Sequence, residues 1–111
     1  MKNPFKKPPK DTNSVKFRRY MAKTLDGRAL QYVIERENDT DTVIGHHGCI
    51  TVKNGVLSVV SFESPDPLFR AEVDTLSAWE LMSLAGAVLT GYDLDRGRER
   101  TVIAYYTYYR K

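Results

Sequence analysis

The chain has 111 residues, of which 41% are hydrophobic, and its formal net charge is +3 at neutral pH. This length and composition suit one small globular domain whose core needs neither a metal nor a disulfide. No stretch approaches the roughly 20 apolar residues of a membrane span, and no apolar segment follows the N-terminal lysines as in a secretory signal. The single cysteine cannot form an intramolecular disulfide, which favours a reducing, cytoplasmic location without a membrane partner.

The excess positive charge lies in the first 11 residues, which hold four lysines and one aspartate. The remaining residues hold 13 basic and 13 acidic side chains. The body of the protein therefore has no net field that would attract nucleic acid or anionic lipid. Residues 1–14 are rich in lysine and proline and predict a disordered basic tail, and residues 15–111 predict a single globular β-rich domain.

Two segments, 15–24 and 29–37, flank the pair Asp26-Gly27, which is typical of hairpin turns. Apolar and polar residues alternate along the second segment, as expected for a strand. The first segment is ambiguous, because its aromatic and methionine side chains also match helical spacing. The turn signal favours a strand at 15–24, and a short helix is the alternative.

The clearest local signal is Asn54-Gly55, which is flanked by the strand-like segments 42–53 and 56–62. A type I′ turn needs positive φ at both central residues, and Asn followed by Gly tolerates this best. The turn also sets the register of the two strands. The apolar side chains that this register places on one face are Ile50, Val52, Leu57 and Val59. We predict that they form a wall of the core.

The pattern Ser77-Ala-Trp-Glu80 is a helix capping box, in which a serine and a glutamate satisfy each other's backbone amides. Gly86 stands where a glycine often ends a helix. We therefore predict a short helix at 77–85, although the pattern would also allow it to continue to Leu89.

Further strands are predicted at 68–73, 87–93 and 101–109. The last of these is apolar on both faces, so we expect it to be central in the sheet or covered on both sides. Together the elements predict an α+β, mainly antiparallel β fold of about seven strands, with the helix between strands five and six. Either a small, partly open barrel or a rolled sheet would bury the apolar face of the hairpin.

Tyrosines cluster near the C-terminus, where Tyr106 and Tyr108 would share one face of a strand and basic residues follow. Aromatic side chains on a sheet can stack on bases, and tyrosine is also enriched in protein interfaces. The candidate binding residues are Tyr20, Tyr106, Tyr108 and Arg110.

The segment Gly45-His46-His47-Gly48-Cys49 contains both histidines and the only cysteine. On a strand, only His47 and Cys49 would share a face, which is too few ligands for zinc, so we predict no metal site. His47 and Cys49, together with Trp79, are instead the candidate lining of a small-molecule pocket.

No phosphate loop, dinucleotide fingerprint, nucleophile elbow or zinc-protease motif occurs in the sequence, and we expect neither a cofactor nor catalytic residues. The favoured function is a non-catalytic binding or regulatory module that contacts a protein partner or self-associates through tyrosine-rich or edge strands. One alternative is a nucleic-acid-binding domain that uses the basic tail and surface tyrosines. Another is a small-molecule-binding protein or minor enzyme with the pocket described above.

Overall fold

The computed structural model describes residues 14–107, so that most of the predicted basic tail, together with Tyr108 and Arg110, lies outside the described residues. Within this range the chain forms one α-helix, one 3-10 turn at Val73–Thr75 and seven strands. The helix and strands are α1 Val15–Leu25, β1 Ala29–Glu37, β2 Thr40–Lys53, β3 Val56–Ser61, β4 Phe69–Glu72, β5 Ser77–Glu80, β6 Gly86–Asp93 and β7 Arg98–Tyr105. The strands make a single antiparallel sheet in the order β4-β3-β2-β1-β7-β6-β5. The prediction of a mainly antiparallel β fold is confirmed, as an open sheet and not a closed barrel.

The strand predicted at 15–24 is wrong, because this segment forms α1. The hydroxyl of Ser14 accepts a hydrogen bond from the Phe17 amide at 3.1 Å and caps the helix. The pair Asp26-Gly27 ends the helix instead of making a hairpin, since Gly27 adopts the left-handed φ of +85° that favours glycine just after a helix. The side chains that α1 buries are Met21, Ala22 and Leu25. Their spacing is helical. A helix was the alternative prediction for this segment, and the Asp26-Gly27 turn signal had favoured a strand over it.

The helix predicted at 77–85 is also wrong, because Ser77–Glu80 forms β5. Its side chains alternate, with Ala78 buried and Trp79 exposed. The Glu80 carboxylate accepts a hydrogen bond from the Tyr106 hydroxyl at 3.2 Å and does not close a capping box. A helix this short is marginal by itself, whereas pairing with β6 satisfies backbone groups along the segment. The strand count therefore stays at seven, because β5 replaces the strand predicted at 15–24.

The hairpin predicted around Asn54-Gly55 is confirmed. Both turn residues have positive φ, 54° and 78°. β2 and β3 pair with Ile50 opposite Val59 and Val52 opposite Leu57. Three of these side chains are fully buried, and Val52 is partly buried against the core. The hairpin thus supplies the apolar wall that its sequence predicts.

The core lies between α1 and one face of the sheet, which we call the core face; the opposite side is the outer face. The sheet curls around the core until the end of β6 meets β4, where the Leu94 amide donates to the Arg70 carbonyl at 2.8 Å. Arg70 and Asp95 add two hydrogen bonds across the same seam, at 2.8 and 3.0 Å. β7 is the fifth of seven strands, which confirms its predicted central position.

Candidate protein-binding face

An apolar row crosses five strands on the outer face. Residues that stand directly opposite each other in antiparallel strands project to the same face, so the register identifies the members of the row. They are Val43 on β2, Ile34 on β1, Ile103 on β7, Val88 on β6 and Trp79 on β5. We call these five residues the apolar row. The core cluster shows that the row lies on the outer face: at the centre of the row, Val102 and Ala104 belong to this cluster, but Ile103 between them does not.

Exposure along the apolar row increases from its centre to its ends. Ile103 is 1% exposed, whereas Val43 is 50% and Trp79 52% exposed. Within residues 14–107, no helix or strand packs onto the outer face, since α1 contributes its buried side to the core cluster. The row is therefore accessible at its two ends, at Val43 and Trp79, and exposed apolar patches are typical of interaction surfaces.

An aromatic pair lies beside the apolar row. The rings of Tyr32 and Tyr105 stack with centroids 4.6 Å apart and planes inclined by 14°. His46 stands opposite Tyr32 in the register and continues this second row onto β2. Stacked tyrosines are large, rigid and amphipathic, which suits them to a protein contact.

A polar row flanks the apolar row on its other side. Arg36 and Asp41 form two hydrogen bonds of 2.8 and 3.0 Å, and the hydroxyls of Thr90 and Thr101 lie 3.0 Å apart. The hydrogen bonds to Asp41 raise the pKa of the exposed Arg36, and the same bonds lower the pKa of Asp41. The charges of Arg36 and Asp41 are therefore neutralised within this row.

The predicted binding tyrosines do not lie together. Tyr106 is only 8% exposed on the core face, with the Arg28 guanidinium 3.8 Å from its ring centroid. Burial, together with the nearby Glu80 carboxylate, raises the pKa of Tyr106 to about 12. Tyr20 lies on α1, partly buried beside Phe17. The tyrosines on the outer face include the stacked pair Tyr32 and Tyr105 and the exposed Tyr92, none of which was predicted as a binding residue.

The predicted pocket residues are also spread across the sheet. Trp79 is on β5, whereas His47 and Cys49 are on β2, and β1, β7 and β6 lie between. Four strand spacings amount to about 19 Å, too far for one small ligand to touch all three side chains. Only Trp79 joins the outer-face surface described above.

A groove of about 640 Å³ opens elsewhere, between α1 and the β2–β3 hairpin. Its walls carry both signs of charge, and Arg19 and Asp74 on its lining form two hydrogen bonds of 2.8 and 2.9 Å with each other. None of the predicted pocket residues lines it. Among residues 14–107, no group of three or more histidine, cysteine, aspartate or glutamate side chains is placed to hold a metal ion.

Comparison with known proteins gives no relative: no family model, no curated protein and no solved structure matches the chain. In the described part of the chain, α1 is too short and too polar to cross a bilayer.

Proposed function

We propose that the protein is a non-catalytic binding module that self-associates, and that copies of the chain meet at the Trp79 end of the apolar row. The observation that carries this proposal is the position of Trp79. It stands at the end of the apolar row, on an edge strand, and about half of the residue is exposed to water. Buried tryptophans are prominent among the residues that dominate binding energy in interfaces.

The charge distribution supports a second copy as the partner. Outside the first 11 residues, basic and acidic side chains balance, so two bodies approach without net repulsion. The polar row pairs its own charges, and a like surface therefore meets no unpaired ion of the same sign. A highly charged partner such as nucleic acid would find no complementary field on this face.

Light scattering of the full chain over a range of concentrations tests the proposal. The wild type is expected to form dimers or larger assemblies, and Trp79→Ser is expected to shift the mass to the monomer. Tyr92→Ser is the matched control, because Tyr92 is 55% exposed on the outer face but stands outside the apolar row. Circular dichroism checks that each variant remains folded. A wild type that stays monomeric at every concentration would contradict the proposal.

A further inference from the structure

β5 leaves part of its backbone open at the edge of the sheet. The Leu81 amide donates to the Gly86 carbonyl at 2.9 Å, and these residues continue the β5–β6 register. Because ladder bonds alternate along an antiparallel strand, Ser77 and Trp79 also bond to β6, and the N–H and C=O groups of Ala78 and Glu80 point outwards. Among the described residues, neither Ala78 nor Glu80 has a backbone bond outside the sheet.

We propose that two copies of the chain join by antiparallel pairing of their β5 strands about a two-fold axis at Trp79. This inference rests on the self-association proposed above and specifies how it occurs. The axis places Ala78 of each copy opposite Glu80 of the other. Both outward amides of each copy then meet an outward carbonyl, so the open edge is fully paired in both chains.

The side chains fit this axis. The two Trp79 residues then stand directly opposite each other as a non-hydrogen-bonded pair. In such a pair the Cα atoms lie about 4.5 Å apart and the side chains are closer than in a hydrogen-bonded pair. The two indoles then cover each other, and the apolar rows join into one row across both sheets. Each Glu80 carboxylate faces an alanine and not the other carboxylate, and it is already held by the Tyr106 hydroxyl.

The other end of the apolar row is less suited to such pairing. β3 pairs with β2 only from Gly48 onwards, so the backbone around Val43 pairs with β1 on one side and has no described strand on the other. That stretch contains a register shift next to Ile44 and the charged Asp41, and bulges and charges are devices that block edge pairing. A contact of β5 with β2 of another copy would also be head-to-tail, and it would leave one β5 edge and one β2 edge open in a dimer. The two-fold contact of β5 with itself does close.

A proline substitution tests the backbone contact. Glu80→Pro removes an amide that points away from β6, a position at which an edge strand tolerates proline. Glu80→Ala is the matched control, because it removes the same carboxylate but keeps the amide. One hydrogen bond is lost from each copy, so Glu80→Pro is expected to raise the dimer dissociation constant about tenfold to a hundredfold above that of Glu80→Ala. Thermal unfolding of both variants checks that the fold is retained.

Disulfide formation tests the register. The axis places Ser77 of one copy opposite Leu81 of the other, within reach of a disulfide. In a Cys49→Ser background, a mixture of Ser77→Cys and Leu81→Cys chains is expected to give linked dimers on mild oxidation, whereas each variant by itself is not. If the wild type associates but Glu80→Pro matches Glu80→Ala and the mixture does not cross-link, the β5 contact is overturned while self-association stands. A monomeric wild type would overturn both.

Discussion

Arg100 and Asp93 form an ion pair that is almost completely removed from water, with 5% and 0% of the two residues exposed. The same guanidinium donates two hydrogen bonds to Glu35, at 2.9 and 2.7 Å, and one to the Leu68 carbonyl at 2.7 Å. Arg100 thus ties β7 to β1, to the end of β6 and to the segment that leads into β4. It holds the curl of the sheet from inside.

Replacing Arg100 by methionine should be strongly destabilising. The substitution keeps an unbranched apolar chain but removes the guanidinium that pairs with the buried Asp93 carboxylate. Of the described ion-pair partners, only the half-exposed Arg96, at 3.4 Å, then remains beside this carboxylate, and breaking a buried pair typically costs about 3–5 kcal/mol. Denaturant unfolding measures the loss. The control is Arg36→Ala, because the Arg36–Asp41 pair is 50% and 41% exposed and should contribute little to the free energy of unfolding. Equal losses in the free energy of unfolding for the two substitutions would mean that the buried Arg100 contacts do not stabilise the fold more than an exposed ion pair does.

The cost of Arg100→Met should also depend on pH. Hydrogen bonds from Arg100 lower the pKa of Glu35 against the effect of desolvation. Burial by itself raises the pKa of Asp93, but hydrogen bonds from Arg100 and from the amides of Asp95 and Arg96 outweigh it and leave the pKa below its usual value. The unfolded wild type therefore takes up protons first, and its free energy of unfolding falls as the pH drops below about 4.

Burial raises the pKa of Asp93, and the hydrogen bond from Arg100 is the main interaction that lowers it. Without Arg100, the pKa of this carboxyl should therefore rise above the unfolded value. The folded variant then takes up a proton before the unfolded chain does, so the variant gains stability as the pH falls from 7 towards about 4. The difference between wild type and Arg100→Met should accordingly narrow over this range. Denaturant unfolding at several pH values measures it, and a difference that stays constant would contradict the assigned roles.

How far the sequence predicts this fold depends on the range of the interactions involved. The Asn54-Gly55 hairpin was predictable because turn chemistry and the apolar pattern act over a few residues and agree. Asp26-Gly27 and Ser77–Glu80 were misread because each local signal fits two structures. A glycine with positive φ serves a hairpin turn or a helix end, and a capping-box pattern also fits an edge strand when β6 offers a partner.

The candidate site was not predictable for a different reason. The members of the apolar row are far apart in the sequence, and only the strand order and register bring Val43, Ile103 and Trp79 into one line. The burial of Asp93 was likewise not predictable, because nothing local shows that Arg100 and the curl of the sheet enclose it. Of the five residues in the apolar row, only Trp79 was a predicted site residue, and it was predicted to line a pocket.

Tyr106 provides a prediction at alkaline pH. Its folded pKa of about 12 lies above the unfolded value of about 10, so the unfolded chain loses the phenolic proton first as the pH rises. The stability that depends on the neutral phenol is complete below pH 10 and is lost between about 10 and 12. Tyr106→Phe keeps the ring under Arg28 and should reduce this alkaline loss, at a cost near neutral pH of about 1 kcal/mol for the hydrogen bond to Glu80. Denaturant unfolding at neutral and alkaline pH compares the two proteins, and an unchanged alkaline loss would contradict the assignment.

Gly55→Ala tests the hairpin that forms one wall of the core. Gly55 has a φ of +78°, and an added Cβ would meet no atom within 4 Å, so the substitution changes backbone conformation without creating a clash. A left-handed conformation costs a residue with a Cβ about 1–2 kcal/mol, and this should appear as a loss of that size in the free energy of unfolding. Lys53→Ala, one step before the turn and exposed, should change it by less than about 0.5 kcal/mol. If Gly55→Ala is as mild as Lys53→Ala, the turn does not require the positive φ that sets the register of β2 and β3.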